Sequence, residues 1–171
     1  GNFVNRITKY CASKFDGKVP DAGTPGEAEA WMANELATRL KAIDEHYEAM
    51  EFRKAAAETR ALWAAGNEYL TRAEPWVKYK SDVDGAAVGV RTGLNLAALF
   101  AIIAQPVIPD ASGKVLDALG IPEGHRRWPD WQDKGLLDAV PRGAPITPPD
   151  VLFQKIEDTQ VAEWTGRFGG G

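Results

Sequence analysis

The chain has 171 residues, of which 44% are hydrophobic, and its formal net charge is −4 at pH 7. This length and composition exclude a disordered chain and predict one globular domain, or one domain with a tail. The acidic balance argues against general nucleic-acid affinity, but it does not exclude a local basic surface. The single cysteine, Cys11, excludes a disulfide framework and a zinc site of several thiolates.

The N-terminal region lacks the charged and apolar segments of a signal peptide. The longest unbroken apolar run, residues 96–104, is far shorter than the ~20 residues of a membrane span. We therefore expect a cytoplasmic protein with no membrane partner. Because the chain starts at Gly1 and its first residues already have a helical pattern, we expect a fragment of a longer protein.

Helical periodicity predicts an all-α fold, a bundle of about five helices. The first helix is predicted over residues 1–14, with Asn2 and Arg6 one turn apart on its polar side. The second is predicted over residues 25–50, capped by Thr24. Its apolar residues recur every three or four positions, which indicates a buried stripe of Met32, Leu36, Leu40, Ile43 and Tyr47.

The third helix is predicted over residues 51–74 and should end before Pro75, because proline lacks a backbone donor and clashes with the preceding turn. Trp76 would then be fixed at a corner. The predicted buried stripe of this helix is Phe52, Ala56, Trp63, Gly66 and Leu70. Trp63 should therefore hold the bundle together, while Trp76 could be either a core plug or a stacking platform; the pattern alone favours the plug.

The fourth helix is predicted over residues 82–105 and is apolar almost all round, as in the centre of a bundle. A short fifth helix is predicted over residues 111–119. The segment between it and a last helix at residues 156–167, here called the strap, is irregular and rich in proline and tryptophan. We thus predict a bundle over residues 1–120 and a C-terminal part over residues 121–171, which packs on the bundle or on another domain.

No group of residues has the pattern of a catalytic or metal site. The two histidines, His46 and His125, are far apart in sequence, and no glycine pattern follows a strand as in a nucleotide-binding loop. We therefore predict no catalytic residue, metal ligand or cofactor in this chain, and a role in binding.

Two short segments are basic although the whole chain is acidic. Residues 1–20 contain four basic side chains and Tyr10, and residues 72–80 contain three basic side chains with Trp76 and Tyr79. Aromatic side chains beside basic and amide groups can stack on unpaired RNA bases, contact their edges and neutralise phosphates.

Six short motifs resemble bacterial methionyl-tRNA synthetase, in its C-terminal half. They are GNFVNR at residues 1–6, KFDG at 14–17, NEY at 67–69, EPW at 74–76, GLNL at 93–96 and PVIP at 106–109. Residues 149–157 also resemble that family's returning strap. The order and spacing of these motifs fit along the whole chain.

The resemblance implies an α-helical anticodon-binding domain of the class I synthetase type. It implies that Asn2 and Arg6 read anticodon bases and that Trp76 stacks on the first base, with Asn5 and Tyr10 as less supported contributors. The cognate RNA would be tRNA(Met), with anticodon CAU. The spacing of Asn2 and Arg6 agrees with this, since side chains four residues apart share one helix face.

The family's ATP-binding signatures, His-Ile-Gly-His and Lys-Met-Ser-Lys-Ser, do not occur in the sequence. The resemblance therefore implies a methionine–tRNA ligase whose catalytic domain, with its ATP, methionine and a candidate zinc ion, lies outside this chain. The expected partners are tRNA(Met) and that domain, and not DNA or a membrane. The chain alone should be inactive.

Two alternatives stay open from the residues. The chain could be the anticodon domain of a related synthetase for valine, isoleucine, leucine or cysteine. It could also be a helical protein-interaction module in which Trp128, Trp131 and Trp164 hold a partner.

Overall fold

The computed structural model describes residues 2–169, and this part of the chain is helical without a strand. Its helices are α1 (Asn2–Lys14), α2 (Glu27–Glu48), α3 (Phe52–Ala73), α4 (Pro75–Lys78), α5 (Val83–Ala104), α6 (Pro109–Ala118) and α7 (Asp158–Phe168). Two 3₁₀ turns lie in the strap. The predicted all-α bundle is confirmed. The predicted start of the first helix at Gly1 lies outside the described residues.

Helix α5 is the centre of the bundle and packs against α1, α3, α4 and α6. It is long and apolar enough to cross a membrane by composition alone, but 94% of that apolar window is buried inside the protein. Close packing with α1 requires Gly93, because a Cβ atom there would lie 2.7 Å from the Ile7 side chain. The prediction of a central buried helix is therefore confirmed.

Helices α2 and α3 form a packed pair. The predicted stripe of α2 is confirmed for its first four residues, which are fully or almost fully buried, whereas Tyr47 is only half-buried. The helix begins later than predicted, however, and Thr24 does not cap it. Its cap residue is Gly26, whose N–H donates to the carboxylate of Glu29 at 2.7 Å. The other oxygen of Glu29 accepts from the Tyr69 hydroxyl at 2.6 Å, which ties the start of α2 to α3.

The predicted stripe of α3 is wrong in part. Phe52 is 63% exposed and Ala56 is also exposed, whereas Gly66 and Leu70 are buried as expected. The buried face of the helix consists of Ala55, Thr59, Leu62, Ala65, Gly66, Tyr69, Leu70 and Ala73. The alanines on every side of this helix give little contrast between its faces, so the predicted stripe lies about one position away from the face that is buried.

Two polar side chains of α5 are buried in the core and join it to irregular segments. Arg91 donates to the carbonyls of Pro20 and Ala22, both at 2.9 Å, and burial lowers its pKa. Asn95 accepts from the Val140 N–H at 2.8 Å and thereby holds the strap to the bundle.

The strap places two tryptophans on α2. The indole N–H of Trp128 donates to Asp44 at 2.6 Å, and the ring of Trp131 lies beneath the Lys41 ammonium group at 5.4 Å. Helix α7, in contrast, is exposed along its whole length.

Candidate nucleic-acid interface

The corner that carries Trp76 forms where α3 ends and α4 begins. Glu74 closes α3 in the left-handed conformation, with φ of 46°, and Pro75 occupies the first position of α4. Pro75 is buried against α5, where a Cβ atom on Gly89 would lie 3.1 Å from the proline ring. The predicted break at this proline is confirmed, and it leaves Trp76 half-buried on a rigid corner.

Arg6 and Trp76 are in contact. The guanidinium carbon of Arg6 lies 4.9 Å from the centroid of the Trp76 ring, within the range of a cation–π interaction. The ring of Tyr10, one turn further along α1, meets Trp76 edge-on at a centroid distance of 5.1 Å. The structure therefore brings together three of the five predicted site residues, on α1 and α4.

Tyr79 supports this cluster from its far side. Its ring meets Tyr10 at 6.2 Å and Phe15 at 5.6 Å, both edge-on. Its hydroxyl donates to the Lys14 carbonyl at 3.3 Å, and the ammonium group of Lys14 lies 5.5 Å from the ring. These contacts fasten α4 to the end of α1, so the position of Trp76 relative to Arg6 is fixed from both sides.

Asn2 and Asn5 are exposed on α1, and Asn2 lies one turn before Arg6. Both border a shallow depression that the strap closes with residues 149–153. Within residues 2–169, the side chains of Asn2, Asn5 and Arg6 make no hydrogen bond or ion pair with another side chain, so their polar groups face solvent. An asparagine amide offers both donors and an acceptor, and an arginine offers five donors in a planar fork.

The two predicted basic segments meet through Trp76 and Tyr79, but two basic side chains of the second segment, Arg72 and Lys78, border a different cleft. Arg72 forms an ion pair with Glu68 at 2.6 Å, and its guanidinium carbon lies 4.2 Å from the centroid of the Trp31 ring. Lys78 and Arg72 instead border a polar cleft beside the acidic start of α2. The basic residues near the aromatic cluster therefore come mainly from α1.

The side chains on this surface can stack and form hydrogen bonds. Within residues 2–169, no group of three or more histidine, cysteine or acidic side chains could hold a metal ion. Burial, and then the neighbouring Tyr79, raise the pKa of Tyr10 above its usual value. The surface thus presents aromatic faces, amides and a guanidinium group.

Two features were missed from the sequence. Tyr79 was noted as an aromatic residue but not as part of the site, although it lies one helical turn after Trp76. Trp63 was assigned to the buried stripe, but it is only half-buried and lines a cavity together with Asn2 and Asn67. Asn67 is exposed and donates to the Trp63 carbonyl at 3.0 Å. The i, i+4 spacing of Trp63 and Asn67 indicates that both lie on one face of α3, and this spacing could have predicted that Trp63 lies beside an exposed polar residue.

A family model described as the anticodon-binding domain of methionyl-tRNA ligase matches residues 19–171. The chain belongs to this family. It is 74% identical to a methionine–tRNA ligase of Hyphomonas neptunium, with all of the chain covered, and 72% identical to that of Maricaulis maris, with 99% covered. The chain spans 30% of the length of each of these two relatives.

Solved structures support the same assignment. The free methionyl-tRNA synthetase of Mycobacterium tuberculosis superposes on 92% of this chain with a TM-score of 0.77 and 25% identity, and the match covers 32% of that protein. The same enzyme in complex with methionyl-adenylate gives a TM-score of 0.78 over 91% of the chain. These matches favour the methionine family over the related synthetases and over an unrelated interaction module.

Proposed function

We propose that this domain binds the CAU anticodon of tRNA(Met), through a surface that consists of Asn2, Arg6 and Trp76 with Asn5 and Tyr10. The observation that carries the proposal is the contact between Arg6 and Trp76. A stacking ring and an unpaired guanidinium group from two separate helices meet on one solvent-facing surface. Although the whole chain is acidic, this local arrangement suits unpaired RNA bases, which need a flat surface for stacking and donors for their edges.

The geometry suggests how a base is held. Arg6 lies over the Trp76 ring and Tyr10 meets it edge-on, but the indole is only half-buried. In this proposal the first anticodon base stacks on the part of the indole that these contacts leave accessible. The guanidinium group of Arg6 then lies beside the stacked base and can donate to a base edge or to a phosphate. Asn2, one turn earlier on α1, offers an amide that both donates and accepts, as recognition of a cytosine requires.

The proposed parent protein is a methionine–tRNA ligase that attaches methionine to the tRNA. Its ATP, methionine and candidate zinc ion belong to a catalytic domain that this chain does not include. The helical domain of this chain positions the anticodon. We propose a cytoplasmic location, where a methionine–tRNA ligase, the name that these relatives carry, would meet its tRNA. In this proposal the chain alone binds RNA but forms no methionyl-adenylate.

The test is a binding titration of a fluorescent anticodon stem-loop with a CAU loop against the chain and its Trp76→Ala variant. One stacked base contributes about 1–3 kcal/mol, so the variant should bind roughly 5- to 150-fold more weakly. Trp128→Ala is the matched control, because Trp128 is also partly exposed but its indole N–H donates to Asp44 on α2, and it makes no contact with Arg6.

The outcome that contradicts the proposal is unchanged RNA affinity in Trp76→Ala together with lowered thermal stability. Trp76 would then be a packing residue only. Equal losses in the Trp76 and Trp128 variants would likewise place the RNA elsewhere.

A further inference from the structure

A cavity of about 310 Å³ lies where the start of α1 meets α3, α5, α6 and the strap. Three of the residues that line it, Asn2, Asn67 and Phe153, are exposed, so the cavity opens to solvent on their side. Its volume is at the lower end of the range of about 300–1,000 Å³ that small-molecule sites occupy. It touches the proposed RNA surface only at Asn2.

Small side chains create this space. Ala97, Ala101 and Ala104 follow one another along a single face of α5, and all three are buried and line the cavity. The aromatic ring of Phe100 packs against α3 at Gly66, where a Cβ atom would lie 2.6 Å from it. Most of the cavity wall is therefore apolar, with aromatic rings and alanine methyl groups.

Two polar groups that belong to cavity-lining residues have no partner. The indole Nε1 of Trp63 and the hydroxyl of Ser112 are buried and make no hydrogen bond within residues 2–169. Ser112 is only 2% exposed. Such unpaired buried groups are uncommon, because each loses its hydrogen bonds to water without replacement. The indole can only donate, whereas the hydroxyl can donate or accept.

We propose that this cavity binds a small, neutral aromatic molecule that carries a hydrogen-bond acceptor. The ring of the ligand packs against Phe3, Phe100 and the alanines of α5, and its acceptor receives the Trp63 indole N–H. The ligand is neutral because no charged residue lines the cavity among those that the structure describes. This inference concerns binding to the cavity and stands independently of RNA recognition.

Quinoline and naphthalene are suitable probes, since they share a two-ring shape and differ in one acceptor nitrogen. The experiment is a ¹H–¹⁵N NMR titration of the 171-residue chain that follows the indole N–H signals. The Trp63 signal is assigned by its loss in Trp63→Phe. Quinoline should shift this signal and the amide of Ser112, and it should bind roughly two- to tenfold more tightly than naphthalene, as one net hydrogen bond predicts.

Two variants separate the hydrogen bond from the space. Trp63→Phe keeps an aromatic wall but removes the donor, so the preference for quinoline should disappear. Ala101→Leu fills part of the cavity, and both probes should bind more weakly. Trp131→Phe is the matched control, because that half-buried tryptophan lies on the strap outside the cavity, and the binding of both probes should be unchanged.

Three results would overturn the proposal: quinoline leaves the Trp63 and Ser112 signals unmoved, the two probes bind the unmodified chain equally well, or Trp63→Phe retains the preference. The comparison of the two probes on the unmodified chain decides the matter without a variant, so a misfolded Trp63→Phe does not remove the test.

Discussion

Substitution of Arg6 by glutamine tests whether the contact between Arg6 and Trp76 serves base recognition. The variant removes the charge that lies 4.9 Å from the indole centroid and keeps a polar side chain. A cation–π contact at an exposed site contributes about 0.5–1 kcal/mol, so the folded state should lose no more than this. A hydrogen bond from a charged donor contributes about 1.5–3 kcal/mol, and the affinity for RNA should fall by roughly 10- to 150-fold.

Lys9→Gln is the matched control, since Lys9 is exposed on the same helix and loses the same charge. If Lys9 contacts only phosphate, its variant should weaken all stem-loops equally and reduce the slope of log affinity against log salt by about 0.7. Arg6→Gln should instead weaken the CAU loop more than a mismatched loop.

The assay is a fluorescence titration of both variants with two stem-loops at several salt concentrations. Because Arg6 and Trp76 touch, their effects on RNA binding should also be non-additive by about 0.5 kcal/mol or more. Indistinguishable behaviour of the Arg6 and Lys9 variants on both loops would refute base recognition by Arg6, and strict additivity with Trp76→Ala would refute the joint site.

Two further predictions concern the core. Asn95→Ala leaves the Val140 N–H buried without its acceptor, so the free energy of unfolding in urea should fall by about 1–3 kcal/mol and hydrogen exchange near Val140 should accelerate; unchanged exchange there would show that Asn95 does not hold the strap. Burial raises the pKa of the Cys11 thiol to about 11, and its Sγ donates to the Lys18 carbonyl at 3.2 Å. The native thiol should therefore react with iodoacetamide roughly 100-fold more slowly than the urea-unfolded chain near pH 8, and stability should decline as the pH rises above about 9, because the unfolded thiol ionises first. Equal alkylation rates in the two states would contradict this.

The parts of the fold that follow local rules could be predicted from the sequence. The stripe of α2 repeats large apolar residues among polar ones, so its period is unambiguous. The end of α3 follows from the covalent structure of Pro75. The face of α3 was misplaced because alanines surround it, and a helix with alanines on all sides buries whichever face its neighbours cover. Trp63 was read as a core residue for the same reason.

The parts that depend on tertiary contacts could not be predicted. Arg91 and Asn95 lie on an apolar helix, and nothing local indicates that one binds the loop before α2 and the other the strap. The contact between Arg6 and Trp76 joins residues 70 positions apart, and periodicity alone favoured a buried role for Trp76. The resemblance to a family, and not the pattern, suggested that the two residues act together.

The central claim is that this domain selects the CAU anticodon, and the most direct measurement is its affinity for stem-loops that differ only in the first anticodon base. When another base replaces the cytosine, protein groups that pair with the cytosine edge lose their hydrogen bonds. Cytosine should therefore be preferred over uracil or guanine by about 1–3 kcal/mol, or roughly 5- to 150-fold. We expect this order for the unmodified chain and a smaller preference in the Arg6→Gln variant, whereas Trp76→Ala should weaken all loops because stacking does not depend on the base. Equal affinity for all loops, or tighter binding of another loop than of CAU, would contradict it.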